Sequence, residues 1–181
     1  LHSELISEAT QACRWVHEVS DEVSEALSRD SQGICAVARS GAIASEVPEI
    51  YPGDCIVVLA QSRDPGNAGT IMRTADAMGA RAIVSVKGSV EASSPKVIRS
   101  SAGSVFHLPI VPADSFDEAC QALRGINAVI LGTSGAQGAY SLTSLMSYAA
   151  WERRGWLAQT HAWVFGNEAQ GMSDDEMAAC D

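Results

Sequence analysis

RDPGNAGTIMRTADAMGA, residues Arg63–Ala80, follows directly on an apolar run, Asp54-Cys55-Ile56-Val57-Val58-Leu59-Ala60. A continuous apolar run of this length bounded by turn residues reads as a buried strand. The stretch after it reads as a helix, with Ile71, Ala75 and Met78 on one apolar face. Pro65, Gly66 and Gly69 lie between the two, a turn that lets backbone pass close to a neighbour or a ligand. Asn67 and Arg73 flank that turn at a spacing that can aim both at one place. Asn67 can equally serve as the helix N-cap, and Arg73 can pair with Asp76 three residues on.

Strand and helix patterns alternate from here onward, which predicts a parallel sheet flanked by helices. Strands are expected at Ala82–Val86, Val105–Val111, Ala128–Leu131 and Ala162–Phe165. Helices are expected at Lys96–Ser101, after the capping-box forms Ser115–Glu118 and Ser173–Glu176, and over the stripe Leu142, Leu145, Met146, Ala149 and Ala150. Arg153 and Arg154 suit the end of that last helix, with Gly155 just past it. Upstream, Leu1–Cys13 has helical spacing, Ser20 precedes a second short helix, and Gln32–Ala38 reads as a strand. Arg39–Gly53, with Gly41, Pro48, Pro52 and Gly53, reads as a boundary. The expected division is therefore residues 1–48, the end of a small α/β module plus linker, and 49–181, the main domain.

Composition narrows the function classes. The chain of 181 residues is 46% hydrophobic and 19% charged, which suits a folded globular protein. No apolar run reaches the length of a membrane span, so no membrane partner is expected. The net charge of −10 argues against a generic nucleic-acid binder, but it is uneven. Ala60–Ile110 carries six basic and three acidic residues, a local surplus of positive charge suited to docking an anion. The cysteines Cys13, Cys35, Cys55, Cys120 and Cys180 are odd in number and lack metal spacing; buried, reduced thiols of a cytoplasmic protein are expected. His2, His17, His107 and His161 share no metal or triad spacing, and no metal is expected.

Ligands of open α/β sheets bind beyond the carboxyl ends of the strands. Gln61–Gly69, Gly132–Gly138 and Gly166–Gly171 are three small-polar loops that each follow a strand, and side by side they make one pocket. None fits the glycine-rich dinucleotide or NTP phosphate patterns, which speaks against a generic nucleotide-binding enzyme.

DPGNAGTIMRTADAMGA resembles the first signature of the SpoU (TrmH-type) RNA ribose 2′-O-methyltransferases of the SPOUT superfamily. VFGNEAQGMS, Val164–Ser173, is similar to their second signature, and SPKVIRSSAGSVFHLPIV between them also resembles the family. The resemblance covers about residues 50–181. A weaker one likens Ser20–Ala38 to the end of a ribosomal-protein-like RNA-binding module.

The resemblance implies S-adenosylmethionine as methyl donor, a homodimer and a C-terminal trefoil knot. It implies a third signature that would follow Asp181, so the chain is expected to be part of a longer product. It implies Arg73, Asn67 and Glu168 as the catalytic set on the RNA side. Leu131, Gly132, Thr133, Phe165, Gly166, Asn167 and Gly171 are implied to hold the donor. Arg63, Lys96 and Arg99 are candidate contacts to the RNA backbone. The expected substrate is large-subunit ribosomal RNA, with tRNA or a non-catalytic RNA-binding relative as alternatives.

Overall fold

The computed structural model describes residues 3–12, 15–29, 31–135, 139–152, 155–167 and 169–181. The chain forms two compact units, Leu1–Arg39 and Ser40–Asp181. The first contains the helices α1 (Ser3–Ala12) and α2 (Asp21–Leu27). Ser20 caps α2, its hydroxyl accepting from the Val23 amide, as expected. Neither helix buries a residue within its unit. Gln32–Ala38 is not a strand: the segment is irregular and exposed, because among the described residues of its unit no strand runs beside it to complete a ladder.

The second unit is built on β1 (Cys55–Leu59), β2 (Ala82–Val86), β3 (Ile110–Ala113), β4 (Val129–Gly132) and β5 (His161–Phe165). They form one sheet in the order β3-β2-β1-β5-β4, with every pairing parallel. The expected strand over Val105–Val111 is confined to its end. Ser104–Phe106 is a 3₁₀ turn, and β3 runs on through Pro112. Proline is tolerated there because β3 is an edge strand.

Alternate residues of β1 feed two cores. Ile56, Val58 and Ala60 face α5 (Phe116–Gly125), whose Phe116, Ala119, Cys120 and Leu123 are all buried. Val57 and Leu59 face the opposite layer, α3 (Pro65–Ala77) and α4 (Pro95–Ser100). Helices thus cover both faces of a parallel sheet, as the alternation demands. α7 (Asp174–Ala178) closes the end of the described chain, with both halves of its Ser173–Glu176 capping box formed. Ser115 caps α5, but Glu118 reaches one residue further back, to the Asp114 amide at 2.6 Å.

α3 starts and stops by identifiable means. Asp64, not Asn67, is its N-cap: the carboxylate accepts from the Asn67 amide at 2.7 Å. Pro65 fills the first turn, where its missing N–H costs nothing. At the other end Gly79 adopts φ +75°, and the Ala80 amide donates back to Ala75 at 2.8 Å, a Schellman-type stop. Ala68, Met72 and Ala75 form the buried face. Met78 is 80% exposed, because it is the C-cap residue and lies past the last regular turn. Asp76 pairs with His107 Nδ1 at 2.8 Å instead of with Arg73. His107, then Ser104, hold the Asp76 carboxyl below the ordinary carboxylate range. The helix α6 (Leu142–Glu152) forms where expected, but Leu142 and Met146 are more than half exposed. Arg153 and Arg154 lie outside the described residues.

α3 and α4 cross at Gly69. A β-carbon there would stand 1.9 Å from Ser100 Oγ and 2.7 Å from the Ser100 carbonyl carbon. Gly69→Ala is therefore expected to destabilise the unit by at least about 1–3 kcal/mol, the usual cost of overpacking. Ser100→Ala should not rescue it, since the Ser100 β-carbon remains within 2.6 Å. Urea denaturation of the single and double variants checks both outcomes.

Candidate active site

β1 lies between β2 and β5, so the chain leaves its carboxyl end toward one side of the sheet and returns to the other through β4 and β5. Such a reversal of strand order leaves a crevice at the strand ends. An open cleft of ≈ 460 Å³ lies there. Asn67, Thr70 and Ile71 of the first turns of α3 form one wall. Thr133, Ser134 and Gly135, after β4, form the second, and Phe165, Gly166, Asn167 and Gly171, at and after β5, the third. The three loops picked out in the sequence do converge.

Each wall is fixed by backbone and short side chains. Thr133 N–H and Oγ1 both donate to the Val164 carbonyl, at 3.1 and 2.8 Å, which ties the β4 loop to β5. The Asn167 and Gly171 amides donate to each other's carbonyls, at 3.0 and 2.7 Å, and close a tight turn. Inside that turn Asn167 Oδ1 accepts from the Ala169 and Gln170 amides at 3.0 and 3.1 Å. A β-carbon on Gly166 would lie 2.7 Å from the Gly171 carbonyl carbon and from the Met172 amide nitrogen, so only glycine lets the turn close. Among the described residues, no charged side chain lines the cleft. Apolar surface from Ile71 and Phe165 beside hydroxyls, an amide and glycine backbone suits a ring-bearing, hydrogen-bonding ligand.

Of the residues singled out in the sequence, Asn67, Thr133, Phe165, Gly166, Asn167 and Gly171 line the cleft. Leu131 and Gly132 do not. Leu131 is buried in β4, and the β-carbon direction of Gly132 points at the sulfurs of Cys180, Met177 and Met172. Arg73 is exposed on α3 and is also not part of the lining. At roughly 100° per residue it sits about 120° around the helix from Asn67. Arg63, Lys96 and Arg99 are exposed outside the cleft, the last two on α4. Glu168 lies outside the described residues. Ser134 and Gly135 belong to the expected loop Gly132–Gly138, though neither was singled out; Thr70 and Ile71 were not anticipated, although they follow Asn67 at the i+3 and i+4 spacing of one helix face. Among the described residues, no group of His, Cys, Asp and Glu is placed to hold a metal ion.

Cys13 lies outside the described residues, and the four described cysteines divide by exposure. Cys35 is exposed, against expectation, because the segment around it is irregular. Burial pushes the Cys55 and Cys120 thiols up, and that of Cys180 up to about 11, with the neighbouring Cys120 adding to the last shift. These shifts lower the thiolate fraction of all three, and the thiolate is the reactive form. Alkylation at pH 8, followed residue by residue by mass spectrometry, should modify Cys35 at least about tenfold faster than the other three. Equal rates would contradict this burial pattern.

Known proteins give the cleft a context. The model of the SpoU rRNA Methylase family matches residues 54–181. A 23S rRNA (guanosine-2′-O-)-methyltransferase, RlmB, from Bordetella pertussis is 26% identical over 97% of this chain and 70% of its own length. The AdoMet-bound rRNA methyltransferase of Sinorhizobium meliloti superposes with a TM-score of 0.69 at 26% identity, covering 98% of this chain and 64% of that one. An RNA 2′-O ribose methyltransferase superposes with a TM-score of 0.60 at 30% identity, covering 75% of this chain and 48% of that one. The chain thus spans between about half and two thirds of these solved structures.

Proposed function

The chain belongs to the SpoU rRNA methylase family, and we propose that it transfers a methyl group from S-adenosylmethionine to a ribose 2′-hydroxyl of large-subunit ribosomal RNA. One observation carries the proposal: the first turn of α3 meets the loops after β4 and β5 in a single cleft at the strand-order reversal. The two sequence signatures, far apart in the chain, thereby become two walls of one site. The 23S rRNA named for the Bordetella relative supports the substrate class, and the AdoMet bound by the Sinorhizobium protein supports the donor.

The residues present fit such a donor. The cleft has nucleoside size, apolar surface at Ile71 and Phe165, and a turn bounded by Gly166 and Gly171, which carry no side chain to fill it. Thr133, Phe165, Gly166, Asn167 and Gly171 would hold the donor, with Leu131 and Gly132 carrying the β4 loop from behind. When bound, S-adenosylmethionine supplies a methyl group activated by the positive charge on its sulfur.

The chain's own work is to bring a hydroxyl in line and to manage its proton and developing negative charge. Asn67 sits at the cleft for the hydroxyl side. Arg73 is a poor proton acceptor, because a guanidinium offers only N–H donors and no acceptor atom. Its role in this reading is to clamp phosphate and stabilise the nascent alkoxide. Since Arg73 does not line its own cleft, in this reading it serves the cleft of a second copy, and a homodimer is part of the proposal. Glu168 completes the catalytic set, and Arg63, Lys96 and Arg99 contact the RNA backbone. Residues 1–48 supply a substrate-binding module and 49–181 the methyltransferase domain. A C-terminal trefoil knot and a cytoplasmic location complete the reading, the latter supported by the free thiols of Cys35, Cys55, Cys120 and Cys180.

Arg73→Ala is expected to lower methyl transfer about 10²-fold or more, the usual loss on removing one charge-stabilising group. Donor affinity, measured by calorimetry, should stay within about twofold, because Arg73 does not line the donor cleft. Unchanged turnover would remove Arg73 from the chemistry. Mixing Arg73→Ala with a cleft-defective variant should restore activity if the residue acts across a dimer.

A further inference from the structure

Three residues other than glycine among those described adopt a left-handed backbone, Gln61, Ala102 and Asn127. Gln61, with φ +59°, lies two residues past the carboxyl end of β1, at the edge of the strand ends where the cleft opens. Glutamine has no local side-chain interaction that favours this region, so the surroundings must hold it there. The ladder shows where the turn occurs. The Ala60 amide still donates to the Phe165 carbonyl at 2.8 Å, continuing the β1–β5 pairing. At Gln61 the chain leaves that ladder, and its carbonyl accepts from Asn167 Nδ2 at 3.4 Å.

That amide belongs to the side chain that organises the donor-side turn. Asn167 Oδ1 accepts from the Ala169 and Gln170 amides, and the Asn167 backbone bridges to Gly171. One asparagine therefore joins the turn to the end of β1, and the Gln61 carbonyl is the point it is joined to. The Gln61 side chain extends the connection. Its Nε2 donates to Glu176 of α7 at 3.5 Å, and its Oε1 accepts from Arg63 Nη2 at 3.5 Å. Glu176 in turn closes the capping box, its carboxylate accepting from the Ser173 amide at 2.7 Å.

We propose that Gln61 is a positioning residue for the donor side of the cleft: its left-handed backbone aims its carbonyl at Asn167 and so sets the turn that carries Gly166 and Gly171. Gln61 does not itself line the cleft, and it acts through Asn167. The inference rests on the donor assignment above for its functional consequence, but the physical coupling is separate from it.

Substitutions distinguish the backbone from the side chain. Gln61→Gly and Gln61→Asn both accept φ > 0, so each keeps the carbonyl in place. Gln61→Val resists φ > 0, because a β-branched residue is strained there, and should swing the carbonyl away. The first readout needs no donor: hydrogen exchange at the Ala169 and Gln170 amides. It should quicken at least about tenfold in Gln61→Val and in Asn167→Leu, and stay within about threefold of the parent in Gln61→Gly and Gln61→Asn. The second is S-adenosylmethionine affinity, expected to weaken about tenfold in Gln61→Val with little change in Gln61→Gly. In the double variant Gln61→Val/Asn167→Leu the two losses should not add, since both cut the same link. Unchanged exchange in Gln61→Val, or additive losses, would overturn the proposal, as would equal damage from Gln61→Gly. If Gln61→Val does not fold, Gln61→Ala, which also disfavours φ > 0 but with less strain, carries the same exchange test against Gln61→Gly. Should the parent protein bind no S-adenosylmethionine while the exchange pattern appears as described, the donor assignment fails and the positioning role stands.

Discussion

The parallel pairing of β1 with β5 is the constraint on which the rest of the structure depends. Cys55–Leu59 aligns residue for residue with His161–Phe165, and the Ala60 amide extends the ladder by one bond to Phe165. These strands are separated by more than a hundred residues, yet their register brings the start of α3 level with the turn after β5. A slip of one residue would turn Val57 and Leu59 out of one core and Ile56 and Val58 out of the other. The cleft is thus a consequence of a register that two hydrophobic cores enforce.

From that pairing follows a division of labour across the cleft. The α3 side is a helix start, where free amides and the Asp64 cap fix Asn67 in the first turn. The opposite side is made of turns, where glycine and asparagine replace regular hydrogen bonding. The two differ in rigidity for a physical reason. The helix is held by buried Ala68, Met72 and Ala75, while the turn is held by a few hydrogen bonds centred on Asn167. The reach of Gln61 from the end of β1 to that asparagine is what links them. Arg73 belongs to neither wall, which separates the donor cleft from the cation proposed to act on the RNA.

Much of this was legible in the sequence. The strands β1, β2 and β5 were marked by apolar runs, because a parallel strand buried on both faces has no polar alternation to obscure it. α5 was legible down to its four buried residues, since Phe116, Ala119, Cys120 and Leu123 repeat at helical spacing. Three loops after strands were enough to place the pocket. Other features depend on tertiary context that spacing does not carry. Asp64 takes the cap in place of Asn67 because Pro65, at the first helical position, starts the helix three residues earlier. Ser104–Phe106 has the apolar character of a strand but turns as a 3₁₀ segment before the edge is reached. Gln32–Ala38 has the composition of a strand and no neighbour to pair with among the described residues of its unit. The wider spread of Asn67 and Arg73 around the helix follows from six residues of helical rotation, which carry the two side chains onto different faces.

The central claim is that the cleft delivers a methyl group to ribose. The most direct measurement incubates the protein with ribosomal RNA and methyl-labelled S-adenosylmethionine, digests the RNA to nucleosides and locates the label. The account predicts label in a 2′-O-methylated nucleoside, at a single position of the large-subunit RNA. Label on a base, or a parent protein that binds the donor and labels no RNA, would contradict it.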